Sequence, residues 1–422
     1  MWRYEEKTFT HYTAADGLAA GTVISLQTIP AGSLVAGMRT NGTLSFDGTR
    51  FKIISVAISL LGMVPGPDGL SWAAFASPAG DPGGIVRSAQ MLVLGGAATS
   101  VIGPGGIARL SGDRIVSVIT NFPGLRGNRI SSLGRAIDGA VWAGSLNGSV
   151  IRFEGSNGVP TLVETNGLMA NAIYPIHCDP RGMVWIGAFG GIAQFDGTRW
   201  KEFTQTNGAP ERYVNAIESR PDGSIWFGST DGGLARFDGQ TMGPVARGSE
   251  KFVPSSVTKI CRSADGNLWF ATHTGVTRYD GVTWSPLDEG DGLLTGSVDS
   301  IAQDRNGVMW FGGERGLTRY QPALLTTRTP TVTVQTDLVY TNLQPLPHVT
   351  AGRLVTFKCN CVDFRTRPEK RLYRYAIVPG RVATAPEKTD ARWQPATRDA
   401  QFSWPPNCEV NIPSSPNRST ET

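Results

Sequence analysis

Between residues 130 and 320 the apolar positions fall in short runs alternating with polar ones, each closed by glycine, proline, asparagine or aspartate. No stretch keeps helical spacing over a useful length, so the pattern predicts strands throughout. One unit shows the scheme. Asn215 to Ser219 reads as a strand, Pro221-Asp222-Gly223 as a tight turn, and Ser224 to Gly228 and Gly233 to Phe237 as two more strands. Asp238-Gly239 is a second hairpin turn, followed by a weaker fourth strand and a polar loop.

The unit repeats. A Gly-x-apolar-Trp-x-Gly core occurs at Gly139–Gly144, Gly182–Gly187, Gly223–Gly228 and Gly307–Gly312, and Gly266–Ala271 keeps all but the last glycine. Trp142, Trp185, Trp226, Trp269 and Trp310 stand 41 or 43 residues apart. Upstream the repeat decays: Trp72 follows Pro67-Asp68-Gly69, while Val35 and Arg109 fill the tryptophan slot after Gly32 and Gly105-Gly106. Slots at 35, 72, 109, 142, 185, 226, 269 and 310 make eight units, but the one between 109 and 142 is short by about one strand. The expectation is an all-β chain with a seven- or eight-bladed β-propeller, each blade four antiparallel strands in about 40 residues. A tryptophan at one fixed slot is read as packing between blades, because a ligand platform would not recur in every blade. The last unit loses its fourth strand at Pro322, and Lys7 to Tyr12 reads as the strand that replaces it and closes the ring.

Composition changes the picture only slightly. The 52 glycines and 27 prolines beside 40% hydrophobic residues fit a folded chain rich in tight turns. A net charge of +4 without a basic cluster argues against nucleic-acid binding. Of the cysteines Cys178, Cys261, Cys359, Cys361 and Cys408, the pair two residues apart on one strand has poor disulfide geometry. All are read as small buried hydrophobes or free thiols. The first six residues lack the apolar core of a signal peptide, and the apolar run from Ile53 to Val64 is too short to span a bilayer, so no membrane segment is expected.

Motifs for chemistry are sparse. His11, His177, His273 and His348 share no ligand spacing with cysteine or acidic residues, which argues against a metal site. In His177-Cys178-Asp179 alternate side chains face opposite ways, against a nucleophilic pair. Gly95-Gly96 and Gly103–Gly106 precede no helix that would cradle phosphate, and no cofactor is implied. Asp196, Asp222, Asp238 and Asp280, each before glycine, read as hairpin turns rather than calcium ligands. Those turns share one face of the array. The opposite face carries the irregular loops, where function concentrates. The ligand-binding candidates there are Arg129, Asn147, Asn171, Phe189, Tyr213, Asn215, Asp231, Lys259, His273, Glu314 and Arg315.

The phrase running from Asp291-Gly-Leu-Leu through Asp304-Arg-Asn-Gly-Val-Met-Trp310-Phe-Gly to Tyr320 resembles the two-component regulator propeller repeat, specifically over 130–320 and more loosely over 1–129. After Pro330, Thr331-Val-Thr-Val, Leu354-Val-Thr-Phe, Arg371-Leu-Tyr373-Arg-Tyr375 and Ala391-Arg-Trp393 resemble the three-tyrosine immunoglobulin-like domain, with Tyr373 and Tyr375 at two aromatic positions and Phe402 or Trp404 near the third. The expected domains are a propeller over 1–325, an incomplete immunoglobulin-like β-sandwich over 326–406, and a polar tail over 407–422. The resemblance implies a periplasmic sensor of a small ligand, carbohydrate foremost, serving a histidine kinase or DNA-binding output that these residues do not contain. It implies no enzymatic activity. The alternatives are an interaction scaffold, or a propeller lyase or hydrolase with His273 and Glu314 as acid and base.

Overall fold

A computed structural model describes residues 9–29, 32–56, 58–66, 68–76, 90–94, 97–102, 105–122, 129–154, 159–163, 172–210, 213–229, 233–245, 254, 256–321, 331–335, 339–340, 348–349, 355–360, 401–404 and 410–411. The chain divides into two compact units, Met1–Asp280 with Trp284–Ala323, and Leu324–Thr422 with Gly281–Thr283.

The first unit opens with β1 (Phe9–Tyr12). Blade one is β2 (Val23–Thr28), β3 (Leu34–Met38), β4 (Thr43–Phe46) and β5 (Phe51–Ser55). Blade two begins with β6 (Ser59–Pro65) and β7 (Ser71–Ala76), carries an inserted hairpin β8 (Gln90–Leu94) and β9 (Ala97–Ile102), and resumes with β10 (Gly105–Ser111) and β11 (Arg114–Ile119). Blade three is β12 (Ile130–Arg135), β13 (Val141–Ser145), β14 (Val150–Glu154) and β15 (Val159–Val163). Blade four is β16 (Ile173–Cys178), β17 (Val184–Ala188), β18 (Gly191–Phe195) and β19 (Trp200–Phe203). Blade five is β20 (Val214–Ser219), β21 (Ile225–Ser229), β22 (Gly233–Phe237) and β23 (Met242–Pro244). Blade six is β24 (Lys259–Arg262), β25 (Leu268–Thr272), β26 (Gly275–Tyr279) and β27 (Trp284–Leu287). Blade seven is β28 (Val298–Gln303), β29 (Met309–Gly313) and β30 (Gly316–Tyr320), with β1 as its outer strand.

The first strands form the inner ring. Strand β2 packs on β6, β6 on β12, β12 on β16, β16 on β20, β20 on β24, β24 on β28, and β28 back on β2. The ring is therefore closed with seven blades, and the expectation of a possible eighth is corrected. Arg109 does not begin a blade. It lies on β10, directly across from Trp72 on β7, so it belongs to the third strand of blade two. The β8–β9 insertion delays that strand and imitates the spacing of a separate unit.

Each position of the repeated core has a physical reason. The first glycine of the core has φ of +84° at Gly139, +87° at Gly182 and +81° at Gly223, a left-handed turn conformation that other residues rarely adopt. At the last glycine the next blade comes too close for a side chain. A Cβ on Gly144, Gly187, Gly228 or Gly312 would sit 2.5–2.7 Å from Ile173, Val214, Val257 or Val23. The tryptophans of this core are buried between blades, and for four of them the turn supplies the polar partner. Trp185 and Trp310 donate Nε1–H to Asp179 and Asp304 at 3.1 Å, and Trp226 and Trp269 to Ser224 and Ser263 at 3.2 and 3.1 Å. Across the strand, Arg109, Arg152, Arg236 and Arg278 lie over the rings of Trp72, Trp142, Trp226 and Trp269 at 5.5–5.9 Å.

The Asp-Gly pairs are hairpin turns. Asp238 accepts from the backbone N–H of Gln240 and Thr241 at 2.8 Å, and Asp47 from Thr49 and Arg50 at 2.8 and 2.9 Å. The Thr49 hydroxyl and these N–H groups hold the Asp47 carboxyl down to about 2. Hydroxyls also stitch successive inner strands together: Ser131 donates to the Ile173 carbonyl at 2.5 Å, Thr258 to Val298 at 2.7 Å and Ser300 to Val23 at 3.2 Å.

In the second unit, β31 (Thr331–Gln335), β32 (Val339–Tyr340), β34 (Val355–Asn360) and β35 (Gln401–Trp404) form an antiparallel sheet in the order β32-β31-β34-β35. A separate pair joins β33 (His348–Val349) to β36 (Val410–Asn411). Tyr373, Tyr375, Trp393, Cys361 and Cys408 lie outside the described residues.

Candidate functional site: the loop face of the ring

Antiparallel pairing brings the start of every inner strand beside the end of the second strand. Ile130 faces Ser145, Ile173 faces Ala188, Val214 faces Ser229, and Val298 faces Gly313. The residues before the first strand and in the turn after the second therefore share one end of the ring. Arg129, Asn147, Phe189, Tyr213, Asn215, Lys259, His273, Glu314 and Arg315 all stand there. Asn171 and Asp231 lie outside the described residues.

These residues gather into two arcs. In blades three to five, the Phe189 ring lies 4.9 Å from Tyr213, and Tyr213 meets Tyr174 edge-on at 5.4 Å. Phe189 is 46% exposed and Tyr213 38%, although core aromatics such as Trp185 are fully covered. Burial and the neighbouring Tyr213 push the Tyr174 hydroxyl up, and the Arg129 guanidinium opposes them. Arg129 is tied to the Asn147 turn through its carbonyl, which accepts from Leu146 N–H at 2.9 Å.

The second arc, in blades six, seven and one, is charged. His273 Nδ1 is 3.3 Å from Ser297 Oγ, and Arg315 pairs with Glu289 at 3.4 Å. His273 and Glu314 do not hydrogen-bond each other; both lie around Asp299 on β28, as does Arg39. Lys259 joins neither arc: with Arg262 and Glu218 it lies around Cys261 at the seam between blades five and six.

Asp299, Tyr174 and Asn215 share a feature invisible in the sequence. Pairing of the inner and second strands slips by one residue at Val23/Ser25, Leu60/Gly62, Ile130/Ser132, Ile173/Ile176, Val214/Ala216 and Val298/Ser300. The bulged residues are Ile24, Leu61, Ser131, Asn215 and Asp299, with Tyr174 and Pro175 in blade four. All are half-buried. A bulge re-aims a side chain out of the ladder, and here it does so at the mouth of the ring in six blades. The alternation of Val298-Asp299-Ser300-Ile301 reads as plain strand, so only the register exposes this set.

Deeper in the ring, His177 Nε2 is buried with no hydrogen-bond partner among the described residues. Burial pushes this imidazole below its ordinary 6.5, against the pull of Glu218 and Asp179 and with Arg262 and Lys259 adding to it. A histidine with a lowered folded pKa costs stability as pH falls through the unfolded value. The propeller is accordingly expected to lose melting temperature below about pH 6.5, and His177→Phe to flatten that loss; parallel pH profiles of the two proteins would contradict it. Burial pushes the thiols of Cys178 and Cys261 up to about 12, away from the thiolate form. No group of three metal-ligating side chains occurs among the described residues.

Residues 251–274 and 292–315 match the model of the two component regulator propeller. The chain carries two-component regulator propeller repeats. No curated protein matches it. Among solved structures, the regulator propeller is similar to the extracellular domain assigned to hybrid two component system BT3049 from B. thetaiotaomicron, with a TM-score of 0.61 at 18% identity, over 96% of this chain and 54% of that one. It is similar also to the extracellular domain assigned to hybrid two component system BT4673 of the same organism, with a TM-score of 0.56 at 14% identity over 83% and 44%. The chain thus spans about half the length of these two domains. A streptogramin B lyase structure has a TM-score of 0.56 at 14% identity, over 74% of this chain and 97% of that one. At such identities the likeness establishes the fold, and function rests on the site. No helix among the described residues is long and apolar enough to cross a membrane.

Proposed function

We propose that the regulator propeller is the extracytoplasmic ligand-sensing region of a bacterial two-component regulator, and that it holds a small ligand over the loop-face mouth. The observation that carries this reading is the exposed Phe189–Tyr213 pair, with the half-buried Tyr174 edge-on to Tyr213, set beside a charged arc on the same face. Exposed rings next to convergent polar groups suit a ligand with an apolar ring face and polar substituents, and a carbohydrate has both. The segment over 326–406 is proposed as the three-tyrosine immunoglobulin-like domain that would pass the bound state on to a kinase or DNA-binding output.

The test is a thermal-shift screen of the whole chain against a panel of oligosaccharides, since binding to the folded state alone raises the melting temperature. A reproducible shift with one glycan class is expected, and Tyr213→Ala should weaken it at least tenfold by removing about 1.4 kcal/mol of stacking. A shift untouched by Tyr213→Ala and Phe189→Ala would contradict the placement. Turnover of the bound glycan would favour a lyase or hydrolase, the reading suggested by His273 and Glu314 near one carboxylate.

A further inference from the structure

Asp299 differs from the turn aspartates of the propeller. Asp47, Asp138, Asp179, Asp196, Asp222, Asp238 and Asp304 all accept hydrogen bonds from turn backbone or from arginine. Asp299 is half-buried, yet no hydrogen bond or ion pair reaches its carboxylate from any described residue. The bulge at Val298/Ser300 lifts it out of the β28–β29 ladder at the mouth of the ring. Arg39 on the β3–β4 turn, His273 on the β25–β26 turn and Glu314 on the β29–β30 turn surround it without pairing to it. A partly desolvated carboxylate without a partner is costly unless something else supplies the donor.

We propose that Asp299 is the anchoring acceptor of the loop-face site, receiving a hydrogen bond from a hydroxyl of an uncharged, hydroxyl-rich ring. The inference rests on the loop-face reading above and names the residue that gives it polar specificity. A neutral polyol suits the surroundings, because Arg39 and His273 offer donors where Asp299 and Glu314 offer acceptors, so neither sign of ligand charge is favoured. Burial raises the Asp299 carboxyl above the ordinary carboxylate value, with Glu314 adding to it and Arg39 and His273 opposing. Folding stability therefore falls as pH rises from the unfolded carboxylate value through the raised folded one, while anchoring requires the ionised form. Function and stability pull in opposite directions at this residue.

Saturation-transfer NMR with methyl β-glucoside as the probe, on the whole chain and its Asp299→Asn variant, tests this, with Arg199→Ala on the opposite face as control. Transfer to the wild type and to Arg199→Ala, reduced at least tenfold in Asp299→Asn, is expected. The variant should also melt at or above the wild-type temperature at pH 7. Equal transfer in both proteins overturns the anchor while leaving the loop-face reading intact, because the aromatic variants test that reading separately. No transfer to the wild type overturns the inference, and so does a lowered melting temperature for Asp299→Asn, which would make the residue structural.

Discussion

Removal of residues 1–12 is expected to destabilise the propeller by about 5 kcal/mol and to broaden its unfolding transition. Strand β1 is the outer strand of blade seven, with Phe9 paired to Tyr320 and Tyr12 to Leu317. Tyr12 also reaches across the ring closure: its ring lies 5.0 Å from Phe46 and 5.8 Å from Phe51 of blade one, and 5.6 Å from Trp310 of blade seven. His11 Nε2 meets the Gly292 carbonyl at 2.8 Å. The deletion therefore removes two large side chains and one strand ladder, and leaves β30 as an open edge. Urea unfolding followed by tryptophan fluorescence measures the loss. An unchanged midpoint and slope would mean that the ring is held shut without β1.

Trp185→Ala is expected to cost about 4 kcal/mol, the range for a large aromatic deleted from a packed core. Its ring contacts Phe203 of its own blade at 5.9 Å, and Phe227 and Phe237 of the next at 5.4 and 5.1 Å. The substitution also leaves Asp179, 2% exposed, without the indole donor. A comparable truncation at Ile137, 76% exposed, should stay within about 0.5 kcal/mol. Equal effects of the two would refute the assignment of the tryptophan slot to the inter-blade core.

The propeller was legible because each constraint recurs. The turn glycine, the buried tryptophan and the close-approach glycine each need one residue type, so the repeat survives where surfaces have drifted. Blade two shows the limit. Gly106-Ile-Ala-Arg109-Leu carries the third-strand pattern of Gly233-Leu-Ala-Arg236-Phe, in which the arginine stands across from the tryptophan. That signal places Arg109 correctly, but the β8–β9 insertion had moved it to the spacing of a new unit. The site was legible only in part. Loop residues could be sorted to one end because hairpin topology dictates it, and Phe189 and Tyr213 meet there. Asp299 and Tyr174 were not, since a bulge depends on how two strands register and leaves no mark on the run of residues.

The central claim is that a ligand sits at the loop-face mouth. Hydrogen–deuterium exchange of the whole chain, with and without the glycan that raises its melting temperature, tests it most directly. Protection is predicted where the inner strands begin and in the turns after the second strands, around 172–176, 188–191, 213–216 and 297–300. Protection confined to the opposite turns, such as 196–199 and 238–241, or to the second unit alone, would contradict it.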